Sequence, residues 1–355
     1  MKLRRPAIAV AAAALVAAGS VPTATHAAQI DETATTGEQT VAATDSPSKA
    51  DSVKPLGEAP KTTNGQDQKW VGILESNQQL WPNEAVRVHS ESMGRDIPVA
   101  LFRATDENGQ PVQGAPTVYL LNGAGGSEQN TDWVTQAFDK MYATYGRAGV
   151  NVVVPMEGAF SYYVDWADEP PVTNTYYKGK QMWSTFLAEE LPGSVEPYLG
   201  ANGRRAVAGL SMAATSSLLL AEHYPDTYDA VGSFSGCAAT STPVPWKFVD
   251  LTVSRAAPGV MTPEPIFGER GSEENRSKDA LVNAGKLKGT AVYISNGTGL
   301  AGEGDMAGTL KERLINAGED PAVASVVAGS NALTLQVEGG AIEAATNACT
   351  HDLLV

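Results

Sequence analysis

Residues 206–223, AVAGLSMAATSSLLLAEH, decide the fold. The first part is an apolar run typical of a buried strand, and the part after Ser211 has the length and composition of a helix. Gly209 and Ala213 flank Ser211 with small side chains, as a sharp turn from strand to helix requires. Ser211 is therefore predicted to be an exposed nucleophile at a helix start, where developing negative charge is favoured. A serine that only caps the helix is the alternative.

Further apolar runs predict more buried strands. They lie at 117–121, 150–155, 230–234 and 290–295, and helix-length segments at 133–148, 183–198 and 212–223 separate some of them. This alternation predicts an α/β fold with a mostly parallel sheet and helices on both faces. The alternating stretch from the 80s to residue 103 predicts an antiparallel edge strand or hairpin. Residues 238–275, rich in Pro, Thr and Ser, predict a long excursion or lid.

The first residues are typical of a secretory signal. Lys2, Arg4 and Arg5 precede an apolar run and a small-residue stretch, which predicts export, cleavage after 1–28 and a secreted or cell-envelope location. Residues 29–68 are poor in large apolar side chains, which predicts a flexible tether. We expect residues 69–355 to form one α/β domain. The apolar stretches are too short to predict a transmembrane segment.

The overall charge narrows the range of partners. The chain carries a formal net charge of -15, which disfavours nucleic acid and suits an extracellular protein. The motifs call for neither a metal nor another cofactor. The only two cysteines, Cys237 and Cys349, fall in the predicted exported domain, where a disulfide can persist.

Acyl transfer by a serine also needs hydrogen-bond donors for the oxyanion. The Met212 amide supplies one by its position after the nucleophile. The glycine-rich loop 122–126, NGAGG, follows the strand at 117–121 and can turn its amides inward, and Ala124 is the candidate for the second donor. The alternative is that these glycines serve only a tight turn.

Several strings together resemble the mycolyltransferases of mycolic-acid-containing bacteria, the antigen 85 and corynomycolyltransferase group. The strings are YLLNGAGG (119–126), FSYYVDW (160–166), WSTFLAEELP (183–192) and the elbow followed by SFSG (233–236). The resemblance implies an α/β-hydrolase fold and a secreted enzyme that moves mycolyl chains between trehalose esters or to cell-wall arabinogalactan. An acyl-trehalose glycolipid would be the substrate and a cell-wall polysaccharide an acceptor.

The resemblance also assigns roles to individual residues. It implies Ser211 as the nucleophile, and Met212 and Ala124 as the oxyanion amides. Asn122 stands where some relatives carry a sugar-contacting aspartate, so sugar recognition should differ in detail. Asp165 and Trp166 are implied as substrate-binding residues of the YxDW segment.

The sequence offers a candidate for the catalytic acid but no well-placed catalytic base. The segment GGAIEAATNACTHDL (339–353) resembles the helix that begins with the triad acid, which places that role on Glu343; a surface glutamate at a helix start is the alternative. The family continues with another strand and a His-Ser-Trp motif that supplies the base. His351 alone has the right chain order, but on one helix it would lie about 12 Å from Glu343. We therefore expect the final strand and helix to be missing, and activity to be impaired.

The remaining expectations concern the cysteines and the competing functions. Cys349 falls on the helix implied to carry Glu343, near the edge where Cys237 ends its strand, which predicts a Cys237–Cys349 disulfide. The predicted function is acyl transfer through a Ser211 acyl-enzyme. A non-catalytic binder of mycolyl glycolipid or sugar and a generic exported carboxylesterase are the alternatives.

Overall fold

The computed structural model describes residues 52–296 and a few positions between 311 and 325. Within that part of the chain, eight strands form one sheet in the order β1-β2-β3-β5-β4-β6-β7-β8. The strands are β1 Val53–Pro55, β2 Asn83–Ser90, β3 Arg95–Phe102, β4 Thr117–Leu121, β5 Asn151–Pro155, β6 Arg205–Leu210, β7 Ala230–Phe234 and β8 Ala291–Ser295.

The pairing of these strands confirms the predicted mostly parallel sheet. Strands β5, β4, β6, β7 and β8 run parallel, whereas β1, β2 and β3 are antiparallel to their neighbours. All five residues of β4 and of β5 are buried, because both faces of these strands are covered. This burial explains why they appear in the sequence as continuous apolar runs. The order places β6, which carries the elbow, between β4 and β7.

Helices cover both faces of the sheet. Alternate residues of one strand enter different apolar clusters: Tyr119 belongs to one cluster, and Val118 and Leu120 to the other. The helices are α1 Lys69–Asn77, α2 Trp133–Tyr145, α3 Trp183–Thr185, α4 Leu191–Leu199, α5 Met212–His223, α6 Pro243–Val253, α7 Glu264–Phe267, α8 Glu273–Ser277 and α9 Ala280–Asn283. Among the described residues, no helix has both the length and the apolar character to cross a membrane.

The helix predicted over 183–198 is interrupted. Residues Phe186–Glu190 form a π-helical turn between α3 and α4. Pro192 lies in the first turn of α4 and has no N–H to donate to the carbonyl four residues earlier, which favours the wider turn. The Glu190 carboxylate then accepts hydrogen bonds from Ser90 Oγ (2.6 Å) and Ser92 N (2.8 Å), which ties this helix to the β2–β3 hairpin.

The predicted tether over 29–68 extends too far. Strand β1 pairs with β2 through Val53 and Val88, so the sheet already includes residues assigned to the tether. Gln68 is buried, and its Oε1 accepts a hydrogen bond from Trp70 Nε1 at 2.8 Å. Backbone pairing and a few side-chain hydrogen bonds replace the apolar burial that this segment lacks. The folded part therefore begins no later than residue 52.

The 238–275 segment is helical and packed, containing α6, α7 and the start of α8. Its start is fastened by Asp279, whose Oδ2 accepts from Thr240 N at 2.9 Å and from Ser241 N at 2.7 Å. Further along, Phe267 of α7 meets the ring of Tyr162 edge to face at 5.2 Å. The excursion is thereby held against residues that neighbour the elbow.

Candidate active site

Ser211 has the backbone of a nucleophile elbow. It lies between β6 and α5 with φ 56° and ψ -121°, a region that costs a non-glycine residue about 1–3 kcal/mol. Its amide donates to Phe234 O at 2.8 Å, which holds the turn against β7. The side chain makes no capping hydrogen bond, so the helix-cap alternative is wrong. The serine is exposed, while Met212 and Ala213 behind it are buried.

Close backbone approach explains the small residues around the elbow. A Cβ added at Gly209 would lie 2.0 Å from Ala213 O, so only glycine fits there. One added at Gly236, at the end of the SFSG string, would lie 2.4 Å from Ala214 Cβ and 2.9 Å from Ser211 O. The spacing of these glycines therefore reflects packing of the strand ends on the start of α5.

The glycine-rich loop reaches the nucleophile. A Cβ added at Gly123 would lie 3.8 Å from Ser211 Cβ and 3.0 Å from Leu210 Cδ1. The Ala124 carbonyl accepts a hydrogen bond from Phe160 N at 2.8 Å, so its oxygen points toward Phe160. Within residues 52–296, no backbone carbonyl accepts a hydrogen bond from the amide of Ala124 or of Met212. The loop lies next to Ser211, and the role of these two amides as oxyanion donors stays a prediction.

Asn122 braces the same loop. Its side chain is buried, with Nδ2 donating to Pro155 O at 2.8 Å and Oδ1 accepting from Trp133 N at 3.0 Å. These two bonds use one of the two N–H donors and one of the two acceptor positions of the amide, and they fix its orientation. The implied sugar contact of Asn122 stays a prediction.

Asp165 and Trp166 hold their own segment in place. The Asp165 carboxylate accepts from Thr185 N at 3.1 Å and from Thr185 Oγ1 at 2.6 Å, at the start of the helical region 183–199. Trp166 is buried, and its Nε1 donates to Ser161 O at 3.0 Å while its ring packs on Tyr177. Their implied substrate-binding roles stay predictions.

The segment 158–163 is a feature that sequence reasoning missed. Phe160, Tyr162 and Tyr163 all have positive φ, at 59°, 55° and 47°. Such conformations persist only where the surroundings hold them. The segment touches both sides of the site, because Phe160 N donates to Ala124 O at 2.8 Å and Tyr162 N lies 3.4 Å from Met212 Sδ.

No described histidine serves the elbow. His89 is on the exposed hairpin, where its Nδ1 lies 2.8 Å from Asp96 Oδ1. His223 ends α5, about 18 Å along the helix from Ser211. The predicted acid Glu343 and the candidate base His351 lie outside the described residues.

Only one cysteine of the predicted disulfide, Cys237, lies among the described residues. Cys237 is disulfide-bonded. Cys349, the other cysteine of the sequence, lies outside the described residues. The pairing of the two stays a prediction.

Comparison with known proteins agrees with this fold. Residues 90–316, more than half of the chain, match the Esterase family. The chain belongs to that family. The crystal structure of MPT51 (FbpC1) from Mycobacterium tuberculosis superposes on this chain with a TM-score of 0.51 and 25% identity, covering 75% of this chain and 99% of that one. The predicted α/β-hydrolase fold is confirmed.

Curated relatives of this esterase are named diacylglycerol acyltransferase/mycolyltransferase Ag85B. The protein from Mycobacterium leprae is 34% identical over 230 residues, 61% of this chain and 64% of its own. The protein from Mycolicibacterium smegmatis is 32% identical over 244 residues, 66% of this chain and 70% of its own. The chain spans just under two thirds of the length of the first of these relatives. The resemblance to mycolyltransferases is confirmed.

Proposed function

We propose that this esterase-family chain is an exported serine acyltransferase that forms an acyl-enzyme on Ser211. The observation that carries the proposal is the exposed, positive-φ Ser211 with Gly123 of the loop packed against it. A strained serine at the carboxyl end of a parallel strand, next to an Ala124 amide that has no backbone acceptor within residues 52–296, suits attack on an ester carbonyl. The proposed acyl donor is a mycolyl ester of trehalose, after the mycolyltransferase relatives.

The proposed reaction has two balanced steps. Ser211 Oγ attacks the ester carbonyl and passes its proton to a general base, for which the described residues offer no histidine; the oxyanion then collapses, the ester C–O bond breaks and the base returns the proton to the sugar oxygen. A hydroxyl of trehalose or of a cell-wall polysaccharide then attacks the acyl-serine, its proton passes through the base to Ser211 Oγ, and the bond between Oγ and the acyl group breaks. The amides of Ala124 and Met212 are the proposed oxyanion donors. Glu343 is the proposed acid that orients the base.

Acyl-enzyme trapping tests the proposal. The full chain is incubated with a long-chain trehalose ester, quenched in acid and digested, and the peptide containing Ser211 is weighed. We expect a mass increase equal to the acyl chain, with one trehalose released for each acyl group bound. Ser211→Ala should abolish both signals, whereas Ser184→Ala, a serine outside the elbow, should preserve them. Acyl groups on another residue, or none on a folded protein, would contradict the proposal.

The fate of the acyl group separates transfer from simple hydrolysis. With labelled trehalose added as acceptor, a transferase yields labelled ester in preference to free acid. A generic esterase yields free acid at a rate that the acceptor does not change. The ratio of the two products, measured by mass spectrometry, decides between them.

A further inference from the structure

A buried carboxyl group lies beneath the glycine-rich loop. Glu128 is in the short 3₁₀ turn Ser127–Gln129 and is 1% exposed. Its Oε1 accepts from Gly158 N and from Ala159 N, both at 3.1 Å. These two amides begin the strained 158–163 segment. The carboxyl therefore fastens the segment at the end where its strain begins.

The same carboxyl fills space that the loop leaves open. A Cβ added at Gly126, which has φ +54°, would lie 2.5 Å from Glu128 Oε2. The glycine thus allows the carboxyl to approach beneath the loop. From Glu128 the contacts continue through Ala159 to Phe160, whose amide holds the Ala124 carbonyl. The Ala124 carbonyl and the Gly125 N–H share one planar peptide, so this contact fixes the peptide that follows Ala124 and restrains the Ala124 amide only through the Cα of that residue.

The contacts of Glu128 can be made by a neutral carboxylic acid as well as by a carboxylate. Ser127 Oγ has one proton and donates it to Met156 O at 2.6 Å. Glu128 Oε2 lies 3.3 Å from Ser127 Oγ. A protonated Oε2 can donate to Ser127 Oγ while Oε1 still accepts from the two loop amides. Burial and, to a smaller extent, repulsion from Glu157 together raise the pKa of Glu128 to about 7, against the opposing effect of hydrogen bonds from backbone amides and of Lys178.

We propose that Glu128 is a positioning residue for acyl transfer, which holds the 158–163 segment and through it the Ala124 peptide beside Ser211. The inference rests on the proposed function, because it gives the Ala124 amide a task. The charged groups near Glu128 form ion pairs with one another: Glu157 pairs with Arg95 at 3.1 Å and with Lys178 at 2.8 Å. Glu128 alone among them bonds to the loop amides at 158 and 159.

Three variants separate hydrogen bonding from volume and charge. Glu128→Gln keeps an acceptor for the amides and supplies an N–H for Ser127 Oγ. Glu128→Leu keeps most of the side-chain volume but makes none of these hydrogen bonds. Glu128→Ala removes both the volume and the hydrogen bonds. Glu222→Ala is the matched control, since it truncates another buried glutamate whose oxygens have no partner within the described residues.

Two measurements are made on each folded variant. Hydrogen–deuterium exchange reports peptides that cover 122–126 and 158–163. Steady-state kinetics on a short p-nitrophenyl ester separates kcat from KM. We expect faster exchange in both peptides and a kcat lowered about 10- to 100-fold for the Leu and Ala variants, with KM within about twofold, because an oxyanion donor acts in the transition state. The Gln variant and the control should match the wild type.

Each result supports or overturns the inference. Unchanged exchange in Glu128→Leu overturns it whatever the activity, and so does unchanged kcat when exchange rises. A Gln variant as impaired as the Leu variant overturns it too, since the amide can make the same bonds. If the wild type shows no turnover that depends on Ser211, the proposed function fails, and exchange alone still decides whether Glu128 positions the loop.

Discussion

At the scale of single residues, steric exclusion explains the elbow better than residue preference does. Gly209 has an ordinary φ, yet an added Cβ would overlap Ala213 O at 2.0 Å. Gly72, in α1, also has ordinary φ but has nothing within 4 Å of an added Cβ. The two glycines look alike in the sequence, and only the packing around them differs.

Replacing these two glycines should have opposite effects. Gly209→Ala must push β6 away from α5 and should destabilise the fold by about 2–4 kcal/mol. It should also abolish labelling of Ser211 by a fluorophosphonate. Gly72→Ala should stabilise the fold by about 0.5–1 kcal/mol, because alanine loses less entropy in a helix. Urea unfolding of both variants measures the difference. Equal stability of the two would show that the elbow tolerates a side chain at 209.

At the scale of elements, α5 carries a buried acid that has no hydrogen-bond partner among the described residues. Glu222 near the end of this helix is 2% exposed, and neither of its oxygens has a hydrogen-bond partner in the described residues. Burial raises its pKa to about 9; Lys286 opposes this shift and Asp279 adds to it. The helix is stabilised by its apolar contacts despite this group.

The stability of the protein should therefore fall as pH rises. The folded pKa of Glu222 exceeds its unfolded value near 4.5, so the folded state binds the proton more tightly. This contribution is fully present below about pH 4.5 and is lost as pH rises toward 9. By pH 7 the loss is on the order of 3 kcal/mol. Glu222→Gln should remove this slope and raise the melting temperature above pH 6.

The control for this prediction is an exposed glutamate. Glu75 lies on the surface of α1, and Glu75→Gln should leave the pH dependence as it is in the wild type. Melting temperatures from pH 4.5 to 9 compare the three proteins. Parallel curves for Glu222→Gln and the wild type would mean that Glu222 is solvated in solution.

At the scale of the whole molecule, the sheet is ordered so that sequence-distant segments meet at one edge. The elbow after β6 lies between the loop after β4 and the SFSG end of β7, because β6 is between those strands. The 158–163 segment follows β5 and closes the site beside β4. The chain order β4, β5, β6, β7 thus differs from the spatial order that builds the site.

The Cys237–Cys349 disulfide is a prediction about the whole chain. In the chain-entropy model it would close a loop of about 110 residues and stabilise the fold by about 4–5 kcal/mol. Peptide mapping without reduction should recover a linked pair containing both cysteines, and reduction should lower the melting temperature. Recovery of Cys237 linked to a second copy of itself, or of two alkylated thiols, would contradict the pairing.

Local patterns in the sequence were enough to predict the elements near the site. The strands at 117–121 and 230–234 and the helix after Ser211 are found where the sequence predicts them, but only the first strand is buried along its whole length, because both of its faces are covered. The family likeness was also readable, since glycines and aromatic residues at fixed spacings are needed wherever strand ends pack closely. The tether boundary was wrong because polar composition says nothing about backbone pairing, which fastens β1 to β2.

The sequence by itself determined the fold class, the nucleophile Ser211 and the loop beside it, since each depends on residue types at short spacing. Tertiary structure alone decided what Asn122 and Glu128 contact, because their partners are Pro155, Gly158 and Ala159, on another strand end. The strain at Phe160 and Tyr162 was likewise invisible, since non-glycine residues take positive φ only where distant contacts hold them. Contacts between segments that are far apart in the chain leave no periodic pattern in the sequence.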